Sequence, residues 1–371
     1  MKQGLTLTEL AQTIERQAAR KEDFVIDTRQ VTMLNGRELS LPVGPDDTAV
    51  EYALSDIAHR QIGARLGIHA TYYDKLHEPD AALSDDDRAA LRALLDTNVN
   101  TLFRRLPERR MVRTFKPDYR MAPDQEAGIA RAFLSDRYRP RDNDELAQHV
   151  LPILGRIPDV HFPGLEVTDR NLYVKAVAPR LERDIAVGDP VQAGVMIKNS
   201  EVGHGSLSVQ PFVYRLSCLN GMVSMSAVRH YHVGKRAETD DTLRVLSDAT
   251  MRLDDEAFFS AVADVVAAAV SEATFTMIVD QLREARTGER IAKPVEAVER
   301  IVKRFALTEG EGESVLAHLI EGGDLSAYGA LNAVTRAAHD ADSYDRSTEL
   351  EEIGGRMLDI AGTPDWHAIA A

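Results

Sequence analysis

From His161 to Val233 the chain lays down five apolar, β-branched segments in succession: VHFPGLEVT, NLYVKAVA, VQAGVMIKNS, SLSVQPFVYRLSCLN and VSMSAVRHYHV. No helix-length pattern separates them. Strands joined by short connections pair antiparallel, because a parallel crossover needs a dozen or more residues. The centre of this run, Val195–Met222, carries Asn199, Ser200, Glu201, His204, Arg215, Cys218 and Asn220 among β-type apolar positions, with Gly203, Gly205 and Gly221 between them. Plain core strands rarely hold so many polar groups, and buried polar groups need partners.

The flanks read differently. Leu5, Leu7, Leu10 and Ile14 recur at helical spacing and predict a first amphipathic helix over Leu5–Ala19. Phe24–Leu41 alternates around Asn35-Gly36, which predicts a hairpin. Glu51–Leu76 and Leu83–Arg105 read as helices, the second opened by Ser84 and Asp85–Asp87. Met111–Ala122 reads as a second hairpin with a Lys116-Pro117-Asp118 turn. Glu126–Ser135 and Asp144–Arg156 read as helices, and Thr242–Leu358 as almost wholly helical. The expected fold class is α+β: a central antiparallel sheet flanked by helices, with a mostly helical C-terminal region. The expected parts are residues 1–100, mixed α/β; 101–236, β-rich and carrying the basic segment; and 237–371, acidic and helical.

Charge follows these parts. Residues 237–371 hold 27 Asp/Glu against 12 Lys/Arg, which accounts for the whole net charge of −15. Thr101–Arg141 holds 11 Lys/Arg against 5 Asp/Glu. A basic segment on an otherwise balanced body suits a polyanion, and the acidic helices suit self-assembly or a protein partner. The single Cys218 gives no disulfide framework. No run approaches the roughly 18–20 apolar residues of a membrane span. Cytoplasmic location and no membrane contact are expected. The sequence has no Gly-x-Gly-x-x-Gly after a strand, no Gly-Lys-Ser/Thr phosphate loop and no Gly-x-Ser-x-Gly elbow, so no cofactor is expected.

Four groups of residues could carry function. Arg104, Arg105, Arg109, Arg110, Arg113, Lys116 and Arg120 fall at a helix end and across a hairpin, with Phe103, Phe115 and Tyr119 among them. Arg137, Arg139 and Arg141 follow. Cations that track phosphates beside rings that stack bases are what a single-strand platform needs; a salt-bridged surface is the alternative. The run QIGARLGIHATYYDKL has helix–turn–helix spacing, but its second helix is poor in phosphate-binding groups and reads as core packing. His230 and His232 would face one side of a strand and are weak metal candidates with Glu201 and His204. Asn199, Ser200, Glu201, His204, Arg215 and Asn220 form a polar motif, either catalytic or a turn-capping network.

At NSEVGHGSLSVQPFVYRLSCLNGM the chain resembles the phage/plasmid-like protein family, a domain of unknown function found in phage, plasmid and integrative elements. The similarity extends to RAFLSDRYRPRDND and LNAVTRAAHD and spans roughly two-thirds of the chain. It implies work on the DNA of mobile elements but no activity residue by residue. The expected function is therefore single-stranded DNA binding, with ATP-independent annealing by a homo-oligomer. The rival from another class is a metal-dependent hydrolase or nuclease at the polar motif. A third reading is a host-interacting protein that works through its acidic surface.

Overall fold

The computed structural model describes residues 2, 4–116, 128–138, 141–205, 207–224 and 248–371. Its contacts divide into two compact units: residues 12–142 with 200–204, and residues 1–11, 143–199 and 205–371. Of the boundaries drawn from sequence, residue 100 falls inside a helix and residue 236 lies outside the described residues. The fold is α+β, with twelve helices and two sheets among the described residues.

Helix α1 (Leu7–Arg20) starts with a capping box in which Thr6 and Glu9 satisfy each other's backbone N–H. It buries Leu10 and Ile14, and the division between the units falls after Ala11. The unit of residues 12–142 then builds a six-stranded sheet from β1 (Lys21–Asp27), β2 (Thr32–Leu34), β3 (Glu38–Pro42), β4 (Ala49–Leu54), β5 (Arg109–Phe115) and β6 (Gly128–Ser135), in the order β1-β5-β6-β4-β3-β2. Asn35 and Gly36 join β2 to β3 with φ of 52° and 63°, the left-handed pair a tight hairpin turn demands.

Three sequence expectations change here. The stretch from Phe24 is not one hairpin arm: Asp27 accepts from Arg29 N and caps a short 3-10 turn, so β1 turns away and pairs with β5. Glu51–Leu54 is strand rather than helix, because Tyr52 packs into the core and Ser55 caps the following helix by accepting from Ala58 N. Residues 128–135 are strand rather than helix: β6 lies between β5 and β4, both its faces are buried, and Gly128 leaves room for Phe115 O and the Tyr52 ring. Residues 117–127, which hold the expected Pro117-Asp118 turn, lie outside the described residues.

Helices α2 (Asp56–Arg65), α3 (Ala70–His77) and α4 (Asp85–Arg105) cover this sheet. Helix α4 begins as the sequence predicts, with Ser84 capping Asp87 N, and it buries Leu95, Val99 and Phe103. Its Asn100 accepts from Met33 N at 2.7 Å and donates to Met33 O at 3.0 Å, so a side chain occupies the open edge of β2. The pair α2–α3 packs into the core, with Tyr73 against Gly63.

Between these two helices His59 stacks on Tyr73 and His77, with ring centroids 4.1 and 3.6 Å away. Its Nε2 stands 3.4 Å from Asp74 Oδ1, and among the described residues neither ring nitrogen makes a well-aligned hydrogen bond. Burial first, and then the neighbouring His77, pull its pKa down to about 4, against the pull of Asp74 and Asp56. The unfolded chain therefore takes up this proton first. Stability is full above the ordinary value near 6.5 and is lost as pH falls toward 4, by up to about 3 kcal/mol. Melting curves from pH 7 to 4.5 should fall less steeply with acid for His59→Phe than for the parent; parallel curves would show that His59 is not the sensor.

The other unit opens with α5 (Asn143–Leu154) and a five-stranded antiparallel sheet: β7 (His161–Val167), β8 (Leu172–Asp184), β9 (Pro190–Asn199), β10 (Ser208–Arg215) and β11 (Asn220–Val223), paired in chain order. Cys218 sits in the turn between β10 and β11, not on a strand, and Leu219 there has φ 51°. Seven helices follow: α6 (Asp248–Ala269), α7 (Glu272–Thr287), α8 (Pro294–Phe305), α9 (Glu309–Gly322), α10 (Ala327–Ala337), α11 (Tyr344–Ile360) and α12 (Pro364–Ala370). Their ends carry local signals: Ser271, Ser326 and Ser343 caps, the Thr308/Glu311 capping box, Pro294 in the first turn and Gly323 at the left-handed end. Trp366 is buried in this unit's core. Among the described residues no single helix is long and apolar enough to cross a membrane; the bent pair Glu256–Ala269 and Glu272–Thr287 reaches the length and composition only together.

Candidate nucleic-acid interface and polar sites

The basic segment divides by burial. Arg113 points into the unit of residues 12–142 with 0% exposure. Its Nε donates to Asp23 Oδ1 at 2.9 Å, its Nη2 to Asp142 Oδ1 at 2.6 Å and its Nη1 to the Glu201 carbonyl at 2.9 Å. Burial alone would raise the Asp142 carboxyl, but the bonds from Arg113 and Lys21 hold it below its ordinary value. Arg113 therefore organises the interior and does not face a phosphate. Phe115 is buried, with the Arg20 and Arg131 guanidiniums 5.2 and 4.0 Å from its ring centre, so it offers no open face to a base. Phe103 is buried as well. Lys116 is exposed and pairs with Glu22 at 2.8 Å.

The segment Ser200–His204 is seated on the same unit. Arg131 Nη1 donates to Glu201 Oε2 at 2.9 Å, Tyr138 Oη to Ser200 O at 3.2 Å and Gln61 Nε2 to Val202 O at 2.7 Å. Ser200 Oγ accepts from His204 N at 3.0 Å and closes the turn. Buried main-chain carbonyls thus find donors on three elements, and the Glu201 side chain holds Arg131. His204 is exposed. This geometry is that of a clamp for a loop.

The remaining cations gather at one end of the six-stranded sheet. Arg104 and Arg105 close α4, Arg109 opens β5 opposite Asp27, and Arg110 pairs with Ser135 at the end of β6, two residues before Arg137. The turn at Thr28 ties these pieces together: its N–H donates to Glu108 O at 2.9 Å and its Oγ1 to Phe103 O at 3.2 Å. Arg65 and Arg110 both hold Glu108, and Arg65 above all lowers that carboxyl's pKa. Hydrogen bonds from Arg29, with added charge from Arg109, bring Asp27 down to about 2. At this end Arg29, Arg65, Arg104, Arg105, Arg109, Arg110 and Arg137 outnumber Asp27, Glu108 and Asp136. Arg104, Arg105, Arg109 and Arg137 are exposed. Arg29 and Arg65 join the set although the sequence pattern did not single them out, because they lie far from the basic segment along the chain. Arg141 is half-buried. Tyr119, Arg120, Arg139, His230 and His232 lie outside the described residues, and among those described no three His, Cys, Asp or Glu side chains group as a metal site.

Asn199, Arg215 and Asn220 belong to the other unit. Asn199 Nδ2 donates to Asn143 Oδ1 at 2.8 Å. Arg215 Nε donates to Asp189 Oδ1 at 2.6 Å, and Asp189 also accepts from Ser217 Oγ at 3.0 Å and Tyr328 Oη at 2.7 Å. Asn220 Nδ2 donates to Thr335 Oγ1 at 2.5 Å. The polar motif is therefore divided: Ser200–His204 sits on the Arg113 network, whereas in the other unit Asn199 pairs with Asn143, Arg215 with Asp189 and Asn220 with Thr335.

A family profile described as a domain of unknown function (DUF932) matches residues 132–352. No curated protein and no solved structure matches the chain.

Proposed function

The chain belongs to this family, whose description names no activity, and we propose that it binds nucleic acid through the phosphate backbone at the arginine-rich end of the six-stranded sheet. One observation carries the reading: four exposed arginines from three elements, Arg104, Arg105, Arg109 and Arg137, sit in a neighbourhood where cations outnumber carboxylates. Exposed cations hold phosphates, and phosphate contacts carry no base readout. The proposal rests on the phosphate backbone because, of the two expected stacking rings, Phe115 is enclosed and Tyr119 lies outside the described residues. The motif resemblance to phage/plasmid-like proteins supplies the setting, which is replication or recombination of a mobile element's DNA in the cytoplasm. The acidic helices of residues 248–371 are proposed to serve self-assembly or a protein partner, and annealing without ATP would follow from coating both strands.

Fluorescence anisotropy with labelled oligonucleotides of about thirty residues tests this at low ionic strength. Single strands and duplex should bind with similar affinity and without sequence preference. Absence of binding by either form would overturn the proposal.

A further inference from the structure

Helix α4 turns Leu95, Val99 and Phe103 into the core of its unit and leaves its other side to solvent. The exposed side is one line. Asp87, Ala90, Leu94, Thr97, Thr101 and Arg104 follow one another by alternating steps of three and four residues, and all six are exposed. That is the spacing with which one helix meets another along its length. Asp86 and Arg105, also exposed, flank the two ends of the line.

The chemistry along this line is directional. Its N-terminal end is acidic and its C-terminal end basic, and no charged residue stands on the line between them. Leu94, 43% exposed, stands near the middle. Arg88 holds Asp85, and Asp87 accepts the Ser84 hydroxyl at 2.7 Å. Asp86, Arg104 and Arg105 make no ion pair among the described residues. Such a surface fits its own copy turned end for end. In the antiparallel register that sets Leu94 against Thr97 of the second copy, Asp87 faces the second copy's Arg104, Asp86 its Arg105 and Ala90 its Thr101, each contact made twice by symmetry. The two helix dipoles are then opposed as well. A parallel pair would set acid against acid and arginine against arginine.

We propose that α4 pairs antiparallel with α4 of a second copy of this chain, with Leu94 near the centre and aspartate–arginine pairs at both ends. The contact is separate from the acidic helices of residues 248–371 and does not depend on the nucleic-acid reading. Where that reading holds, a second copy and phosphate compete for Arg104 and Arg105. One helix face buries less than a standard interface, so the association is weak, with Kd on the order of 10–100 µM at low salt.

Sedimentation equilibrium of the full chain without nucleic acid tests this, so its outcome is separate from that of the oligonucleotide titration. The parent should show a monomer–dimer equilibrium that weakens as salt is raised. Arg104→Glu/Arg105→Glu and Asp86→Lys/Asp87→Lys each set like charges together, and each alone should dimerise at least about tenfold more weakly. Mixed in equal amounts, the two variants place opposite charges at both ends of the pair again, and the dimer should return at about the parent's strength. A parent that stays monomeric about tenfold above that Kd would overturn the proposal. So would a dimer indifferent to both reversals, or a mixture that associates no better than either variant alone. Leu94→Glu, at an exposed position, should also weaken the dimer, and an unchanged dimer there counts against the proposal even if a reversal variant does not fold.

Discussion

Arg113→Met is expected to lower the unfolding free energy of the unit of residues 12–142 by about 3–5 kcal/mol, the cost of leaving buried charges without their partner. The side chain is fully enclosed and gives Asp23, Asp142 and the Glu201 carbonyl their donors. Methionine keeps the length and supplies none of the N–H groups. Lys21 still reaches Asp142, so the loss falls mainly on Asp23 and on the carbonyl of the seated loop. Urea denaturation reads the change. A loss under about 1 kcal/mol would mean that Arg113 is not the buried hub the geometry makes it. The folded fraction should keep the parent's salt dependence of nucleic-acid binding, because this cation faces inward.

Lys175→Met is expected to cost a similar 3–5 kcal/mol in the other unit. Lys175 on β8 and Glu351 on α11 are both 0% exposed and meet at 2.5 Å, with Thr348 Oγ1 3.2 Å from the ammonium and the Tyr344 ring centre 4.8 Å away. Burial pushes the Glu351 carboxyl up, while Lys175 pulls it the other way. Remove the lysine and the carboxyl is left in an apolar site that favours its protonated form. The single variant should therefore recover part of its loss as pH is lowered. Replacing both residues, Lys175→Met with Glu351→Leu, removes the charges together and should return stability to near the parent's. Equal losses in the single and double variants would show that packing around the pair, not its charge, sets the cost.

Much of the fold was legible because the signals are local. Asn35-Gly36 and Ser84 before three aspartates each specify a turn or a cap within four residues of chain. The first three apolar segments after Val160 are β7, β8 and β9, paired in order; the fourth, SLSVQPFVYRLSCLN, is split by the turn at 216–219 into β10 and the start of β11, and the fifth lies outside the described residues beyond Ser224. What the sequence hid is long-range. Residues 128–135 have the alanine, leucine and arginine of a helix former, and only pairing with β5 and β4 makes them a strand. Nothing near Arg113 announces its burial, since its carboxylate partners lie 90 and 29 residues away. The Ser200–His204 stretch is conspicuous in sequence, but its donors come from Gln61, Arg113, Arg131 and Tyr138, spread over one earlier helix, two strands and the turn after β6. Arg29 and Arg65 join the basic end by folding, not by proximity in the chain.

The central claim, that the exposed end and not the buried arginines meets phosphate, is tested most directly by the salt dependence of binding. Kd for a duplex oligonucleotide is measured from low to moderate salt for the parent and for Arg104→Ala/Arg105→Ala/Arg109→Ala/Arg137→Ala. Each phosphate contact contributes about 0.9 to the slope of log Kd against log salt, so the variant should lose roughly three to four units of slope together with most of its affinity. A slope unchanged from the parent's would place the contacts elsewhere and contradict the account.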